Sequence, residues 1–239
     1  MRRRRGSPIP SRAPGGNPVS ASATATVQAA TQVRTERLFV ALPLPDNAVA
    51  DLAEVVSDLN IARRGAPSRP GAAGRRPASG RLVRSENWHL TLAFLGDVPV
   101  SRSAETAEVI AAAAREAAPM RLCVSGGGRF GRGRYSVVYA GLDGDVAALV
   151  DLVHSIRAGL LAGNLPVDQK QYRPHVTLAR PGDRVTNQQA AQDLLTLRRY
   201  YGPSWTAGEL VLYKSDFGKG PVGAQPNYTA VAAAPLGGR

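Results

Sequence analysis

Two stretches, HLTLAF at residues 89–94 and HVTLAR at residues 175–180, share the pattern His-x-Thr-Leu-Ala, and they hold two of the three histidines in the 239-residue chain. Side chains alternate along a β-strand, so residues i and i+2 share a face. His89 and Thr91 therefore point one way, and Leu90 and Leu92 the other. His175 and Thr177 behave alike, against Val176 and Leu178. An imidazole can give or take a proton near neutral pH, and a hydroxyl can donate a hydrogen bond to an anion. Two such strands converging would supply a general base, a general acid and donors for developing charge on phosphoryl oxygens, which is the set that phosphoester cleavage needs. The bland alternative is a pair of structural histidines bonded to strand hydroxyls. The Leu-Ala shared by both motifs makes simple coincidence a poor explanation. No third histidine and no carboxylate pair stands beside either motif, so no metal is expected. His154 lies beside the apolar stripe of a predicted helix with no partner pattern and reads as structural.

The elements that must position these residues are readable in outline. RLFVALPLP (37–45) is a strand closed by prolines, and Asp46 is the expected N-cap of a helix carrying Val49, Leu52, Val56 and Leu59 on one face. RLV (81–83) and WHLTLAFLG (88–96) read as strands, the second ending at a Gly-Asp turn. Trp88, next to His89, falls on the opposite face and belongs to the core. Helices are expected at 104–118, stopped by Pro119, at 145–162 and at 187–199. MRLCVSG and RYSVVYAGL are strands around the glycine-rich GGGRFGRGR. YRPHVTLAR, TAGELVLYKSDF and NYTAVAAAP are further strands. Helices and adjacent strands are interspersed, and the H-x-T strand occurs twice. This predicts an α+β fold with largely antiparallel sheets and a pseudo-two-fold relation.

The net charge of +12 points first to a nucleic-acid surface, but its distribution weakens that reading. Residues 1–34 carry six arginines and residues 63–84 carry seven, neither stretch with an acidic residue. Setting those thirteen aside leaves 17 basic against 18 acidic residues. The basicity therefore resides in segments whose composition predicts disorder, where it adds either nonspecific RNA affinity or solubility. The expected domain plan is a basic tail at 1–34, one domain at 35–235 with an Arg/Gly/Pro insertion at 63–80, and a short tail at 236–239. No apolar run reaches the roughly 20 residues of a membrane-spanning helix, and no secretory leader pattern is present, so the expected location is the cytoplasm. The single cysteine, Cys123, excludes an intramolecular disulfide framework and reads as a buried, inert thiol.

Paired H-x-[ST] motifs on strands resemble the signature of the two-histidine (2H) phosphoesterase superfamily, and the match is nearest to its RNA 2′,3′-cyclic phosphodiesterases, also called 2′-5′ RNA ligase-like proteins. RLFVALPLP, NWHLTLAFLGDV, YRPHVTLAR, GGGRFGRGRYSVVYAGL and LVLYKSDFGKGPVGAQPNYTAVA carry the resemblance. It implies a bilobal 2H-phosphoesterase fold, with two mostly antiparallel sheets and outer helices around a central cleft. It implies hydrolysis of an RNA terminal 2′,3′-cyclic phosphate to a 2′-phosphate, with His175 as proton acceptor and His89 as proton donor. Thr91 and Thr177 would bind the phosphoryl oxygens, and so would Arg180, although on a regular strand Arg180 faces away from Thr177. Phe130, Arg134 and Tyr135 are candidate nucleotide contacts, Phe130 by stacking. No cofactor is implied, and the chain is expected to act as a monomer on RNA ends or small cyclic nucleotides. Two other readings keep the cleft: a phosphodiesterase for other small cyclic phosphates or 2′-5′ oligonucleotides, and a nucleotide- or RNA-binding module without turnover.

Overall fold

The strand that opens the domain, β1 (Thr35–Pro43), is buried from Leu38 to Leu42 and lies between two neighbours, β2 (His89–Pro99) and β7 (Glu209–Ser215). A segment flanked on both sides has no polar edge to show, which suits its continuous apolar run LFVAL. The computed structural model describes residues 33–63, 82–131, 137–180, 186–216, 218 and 225–237. The tail up to residue 32, the insertion after Arg63, and both Arg134 and Tyr135 lie outside the described residues.

The remaining strands are β3 (Met120–Phe130), β4 (Val137–Gly144), β5 (Val176–Ala179), β6 (Tyr201–Ala207) and β8 (Tyr228–Pro235). All eight join in one sheet of order β6-β3-β4-β5-β2-β1-β7-β8, with every pairing antiparallel. One sheet replaces the two expected from the resemblance. The reason is local: β2 and β5 meet at Leu90 opposite Val176, and this pairing merges what would otherwise be two four-stranded units. The two motif strands thus sit at the centre, with three strands on either side.

Among the described residues four α-helices accompany the sheet: α1 (Asp46–Asp58), α2 (Ser103–Glu116), α3 (Val146–Ala162) and α4 (Asn187–Arg199). The helix α2 packs on β7 and β8, α3 on β2 and β3, α4 on β3 and α1 on β6. Their apolar stripes (Leu52 and Val56, Ile110, Leu149 and Ile156, Leu197) share one core with Leu90, Leu92, Val176 and Leu178 of the motif strands. Burying each such side chain contributes about 1.5–3 kcal/mol. Trp88 joins that core and its indole N–H donates to the Val83 carbonyl at 3.1 Å, as its alternation with His89 requires. Cys123 is buried on β3, and His154 faces outward on α3. No helix among the described residues is long and apolar enough to cross a membrane.

Three local expectations are corrected. Pro45, not Asp46, occupies the N-cap of α1, and Asp46 sits in the first turn, where its carboxylate favours the positive end of the helix dipole. The run TAGELVLYKSDF is two strands divided at Gly208, because β6 pairs with β3 at one edge of the sheet while β7 pairs with β1 near the other. Pro203 inside YGPSWTA hides β6 from a sequence reading, and an edge strand is where a proline is tolerated. Leu236, assigned to a tail, is 6% exposed in the core, and its N–H donates to the Gly208 carbonyl at 2.8 Å.

The junction between α1 and α4 is polar and buried. Asp193 on α4 is 3% exposed and accepts from the backbone N–H groups of Asn60 and Ile61 at 2.7 and 3.0 Å, and from Asn60 Nδ2 at 2.9 Å. Its replacement by alanine strands the two backbone donors. Asp193→Ala should therefore lower the unfolding free energy by about 2–4 kcal/mol in urea denaturation, whereas Asp58→Ala on the exposed side of α1 should change it by less than about 0.5 kcal/mol.

Candidate active site

The pairing of Leu90 with Val176 sets the geometry of the site. In an antiparallel ladder, one step either side of that pair brings His89 opposite Thr177 and Thr91 opposite His175. Directly opposed residues of such a ladder have Cβ atoms about 4.5–5.5 Å apart. Leu90 and Val176 are fully buried on the core face, so all four motif residues lie on the other face, and each of the four is half-buried. Each imidazole is thereby placed across from the hydroxyl of the other strand.

Both motifs then break strand alternation at the same place. In β2, Thr91 pairs with Ala41 and Ala93 with Val40, leaving Leu92 as an extra residue. In β5, Thr177 pairs with Tyr139 and Ala179 with Val138, leaving Leu178 extra. A bulge of this kind re-aims the residues that follow. Leu92 and Ala93 both turn into the core, as do Leu178 and Ala179. Phe94 and Arg180, each three residues beyond a threonine, are exposed instead. The odd step that seemed to point Arg180 away from the site is cancelled by the bulge. Phe94, which the sequence reading did not single out, is 55% exposed by the same device.

The two rings are held in the same way. His89 Nδ1 lies 2.8 Å from the carbonyl of Asn87, and His175 Nδ1 lies 2.6 Å from the carbonyl of Arg173. A carbonyl only accepts, so Nδ1 carries the hydrogen in both, and Nε2 is the nitrogen left for chemistry. Aromatic side chains wall each ring. His89 meets Phe39 (centroids 5.0 Å apart), Tyr228 (5.3 Å, edge-on) and Tyr213 (6.3 Å). His175 meets Phe130 edge-on at 4.9 Å and Tyr139 at 5.7 Å, and those two rings stack on each other at 4.2 Å. The glycine-rich stretch explains itself here. A Cβ on Gly128 would come 2.6 Å from the Tyr139 hydroxyl oxygen, and one on Gly127 would come 2.8 Å from Leu197 Cβ. These glycines let Tyr139 lie flat beneath Phe130 and let α4 close on β3.

Burial of the His89 ring lowers its pKa from the ordinary 6.5 to about 4. The bond to the Asn87 carbonyl opposes that effect, and the positive charge of Arg180 adds to it. Arg180 is thus electrically part of the site. Beside His175 opens a cavity of about 330 Å³ lined by Thr91, Phe94, Phe130, Arg157, Lys170 and Arg173 among others. Phe130 lies at this site; Arg134 and Tyr135 are outside the described residues. The sequence reading missed Tyr139, Arg157 and Lys170. Arg157 comes from the face of α3 away from its apolar stripe, and only Tyr139, an aromatic in a β-run two strands from His89, left any signal.

The sequence model of the 2′-5′ RNA ligase superfamily matches residues 67–219, and the chain belongs to that superfamily. It is 32% identical over 157 residues to the RNA 2′,3′-cyclic phosphodiesterase of Geobacillus stearothermophilus, a match covering 64% of this chain and 47% of that one. The chain thus spans about half the length of that relative. It is 28% identical to the Escherichia coli RNA 2′,3′-cyclic phosphodiesterase, over 60% of this chain and 75% of that one. Among solved structures, TT0787 of Thermus thermophilus matches with a TM-score of 0.61 at 26% identity, covering 84% of this chain and 98% of that one. Apo LigT of E. coli matches in fold with a TM-score of 0.59 at 24% identity, covering 85% and 98%.

The buried His89 makes stability depend on pH with a definite sign. The unfolded chain takes up a proton near pH 6.5 and the folded chain only near pH 4, so the contribution is complete above about 6.5 and is lost as the pH falls toward 4. The urea midpoint of the wild type should drop across that window, and the drop should be shallower in His89→Gln. Equal slopes for the two proteins would contradict the burial of this ring.

Proposed function

We propose that the chain hydrolyses RNA terminal 2′,3′-cyclic phosphates to 2′-phosphates without a metal. The observation that carries this reading is the crossed pair: two imidazoles with the same Nδ1–H tautomer, each opposite the other strand's threonine. The names of the Geobacillus and E. coli relatives support the substrate.

In this reading the cyclic phosphate sits between the rings. Thr91, Thr177 and the Arg180 guanidinium hold its non-bridging oxygens. His175 Nε2 takes a proton from water as the water oxygen bonds to phosphorus. The bond from phosphorus to the 3′ oxygen breaks, and that oxygen receives the proton from His89 Nε2, leaving a 2′-phosphate and a 3′-hydroxyl. A His89 of low pKa is neutral in the free protein at pH 7. The bound phosphate anion offsets the charge of Arg180, so substrate binding itself loads the proton on His89. Phe130, with Arg134 and Tyr135 of the same stretch, contacts the nucleotide. The three strands flanking the motif pair on each side support a pseudo-two-fold relation between the halves, each contributing one histidine. We infer a monomer, with the tail 1–34 outside a catalytic domain at 35–235 that carries the insertion 63–80.

Purified protein in EDTA should convert an oligonucleotide ending in a 2′,3′-cyclic phosphate to the 2′-phosphate. His89→Ala and His175→Ala should each lower the rate by about 10²–10⁴. No turnover, or a 3′-phosphate product, would overturn the reading, and loss of activity in EDTA would overturn its metal-free form. The proton role has its own check. Inorganic phosphate should raise the His89 titration, followed by imidazole NMR, from about 4. No movement would remove His89 as donor and exchange the two roles.

A further inference from the structure

The cavity beside His175 is walled by cations that the two-histidine chemistry does not use. Arg157 reaches it from α3, and Lys170 and Arg173 come from the loop before β5. Among the described residues one carboxylate lines it, Asp168, and it is engaged by Lys170 at 3.3 Å. Arg157 and Arg173 therefore leave the cavity with excess positive charge. The loop is fixed in place rather than draped. Asp168 N–H donates to the Phe94 carbonyl of β2 at 2.9 Å, and Arg157 Nη1 donates to the Lys170 carbonyl at 2.8 Å. Two buried donors in the same wall, Arg157 Nε and the Tyr172 hydroxyl, have no hydrogen-bond partner among the described residues. Burial raises the Tyr172 pKa, so that hydroxyl stays a donor at any physiological pH. Cations and unpaired donors in one wall describe a site made for an anion.

The geometry points to a second phosphate site, formed by Arg157, Lys170 and Arg173, which takes the phosphate on the 5′ oxygen of the terminal nucleoside while the cyclic phosphate sits between the histidines. This rests on the proposed function. His175, Thr91 and Phe130 line the same cavity, so a substrate seated at His175 extends directly into it. Past its cyclic end, the next anionic group of an RNA strand is that 5′ phosphate. Phe94, exposed by the bulge at Leu92, and Phe130, whose ring centroid lies 5.9 Å from the Arg173 guanidinium carbon, supply flat apolar walls for the nucleoside between the two phosphates. The site would make the protein favour RNA ends over bare cyclic mononucleosides.

The test compares adenosine 2′,3′-cyclic phosphate with the same molecule carrying a 5′ phosphate. The wild type should process the 5′-phosphorylated substrate with a kcat/KM higher by about tenfold or more, the worth of one or two charge-assisted contacts. Arg157→Gln, and separately the exposed Lys170→Gln, should each reduce that preference by about twofold or more. Lys170→Gln should leave kcat/KM for the unphosphorylated substrate within about twofold of wild type. The surface variant Lys170→Gln keeps the test available should the partly buried Arg157 prove necessary for folding. Equal kcat/KM on the two substrates in the wild type would overturn the proposal, as would variants that lose both activities in proportion. Turnover of neither substrate by the wild type contradicts the proposed function instead.

Discussion

Everything at this site follows from one antiparallel register, Leu90 against Val176. Within the ladder between β2 and β5 that is the single residue pair in register, so backbone hydrogen bonds contribute little to holding it. Burial holds it instead: Leu90, Leu92, Val176 and Leu178 all lie within the core shared with α3 and α4. A slip of one residue would turn those four outward and send His89, Thr91, His175 and Thr177 into the core. The apolar face thus specifies where the polar face meets. Supports outside the seam reinforce it, since Val83 N–H donates to the Leu178 carbonyl at 2.7 Å and the 168–170 loop hangs from Phe94.

A second constraint acts on the rings themselves. Each Nδ1 is committed to a backbone carbonyl two residues earlier, which fixes ring orientation and leaves Nε2 as the working nitrogen. The aromatic walls restrict ring rotation and exclude water, at the cost of making charge on His89 unfavourable. In the proposed reading, an anion between the histidines and Arg180 relieves that cost. The same arrangement therefore keeps His89 neutral in the free protein at neutral pH and, in that reading, makes its proton contingent on what is bound.

Much of this was legible in the residues. The shared face of His and Thr follows from strand alternation alone, and Trp88 fell to the core by the same rule. The Leu-Ala shared by both motifs was visible as repetition, but its meaning was not. It is a bulge, and a bulge is defined by the partner strand, Val40–Ala41 in one case and Val138–Tyr139 in the other. Hence Arg180 read as facing away and Phe94 went unremarked. The single sheet was hidden for a related reason, because it depends on one cross-strand pair between residues 86 positions apart. Strand β6 was lost behind Pro203, and Arg157 and Lys170 carry no motif, since their place at the cavity depends on how α3 and its following loop pack on β2.

The crossed arrangement is tested most directly by the crystal structure of the protein bound to adenosine 2′-phosphate. The account predicts the phosphate between the two rings, with His89 Nε2 and His175 Nε2 on opposite sides of the phosphorus, each within hydrogen-bond reach of an oxygen. The Thr91 and Thr177 hydroxyls should donate to the oxygens between them, and both Nδ1 atoms should still face the carbonyls of Asn87 and Arg173. A phosphate bound to only one imidazole, or a ring turned to present Nδ1, would contradict it.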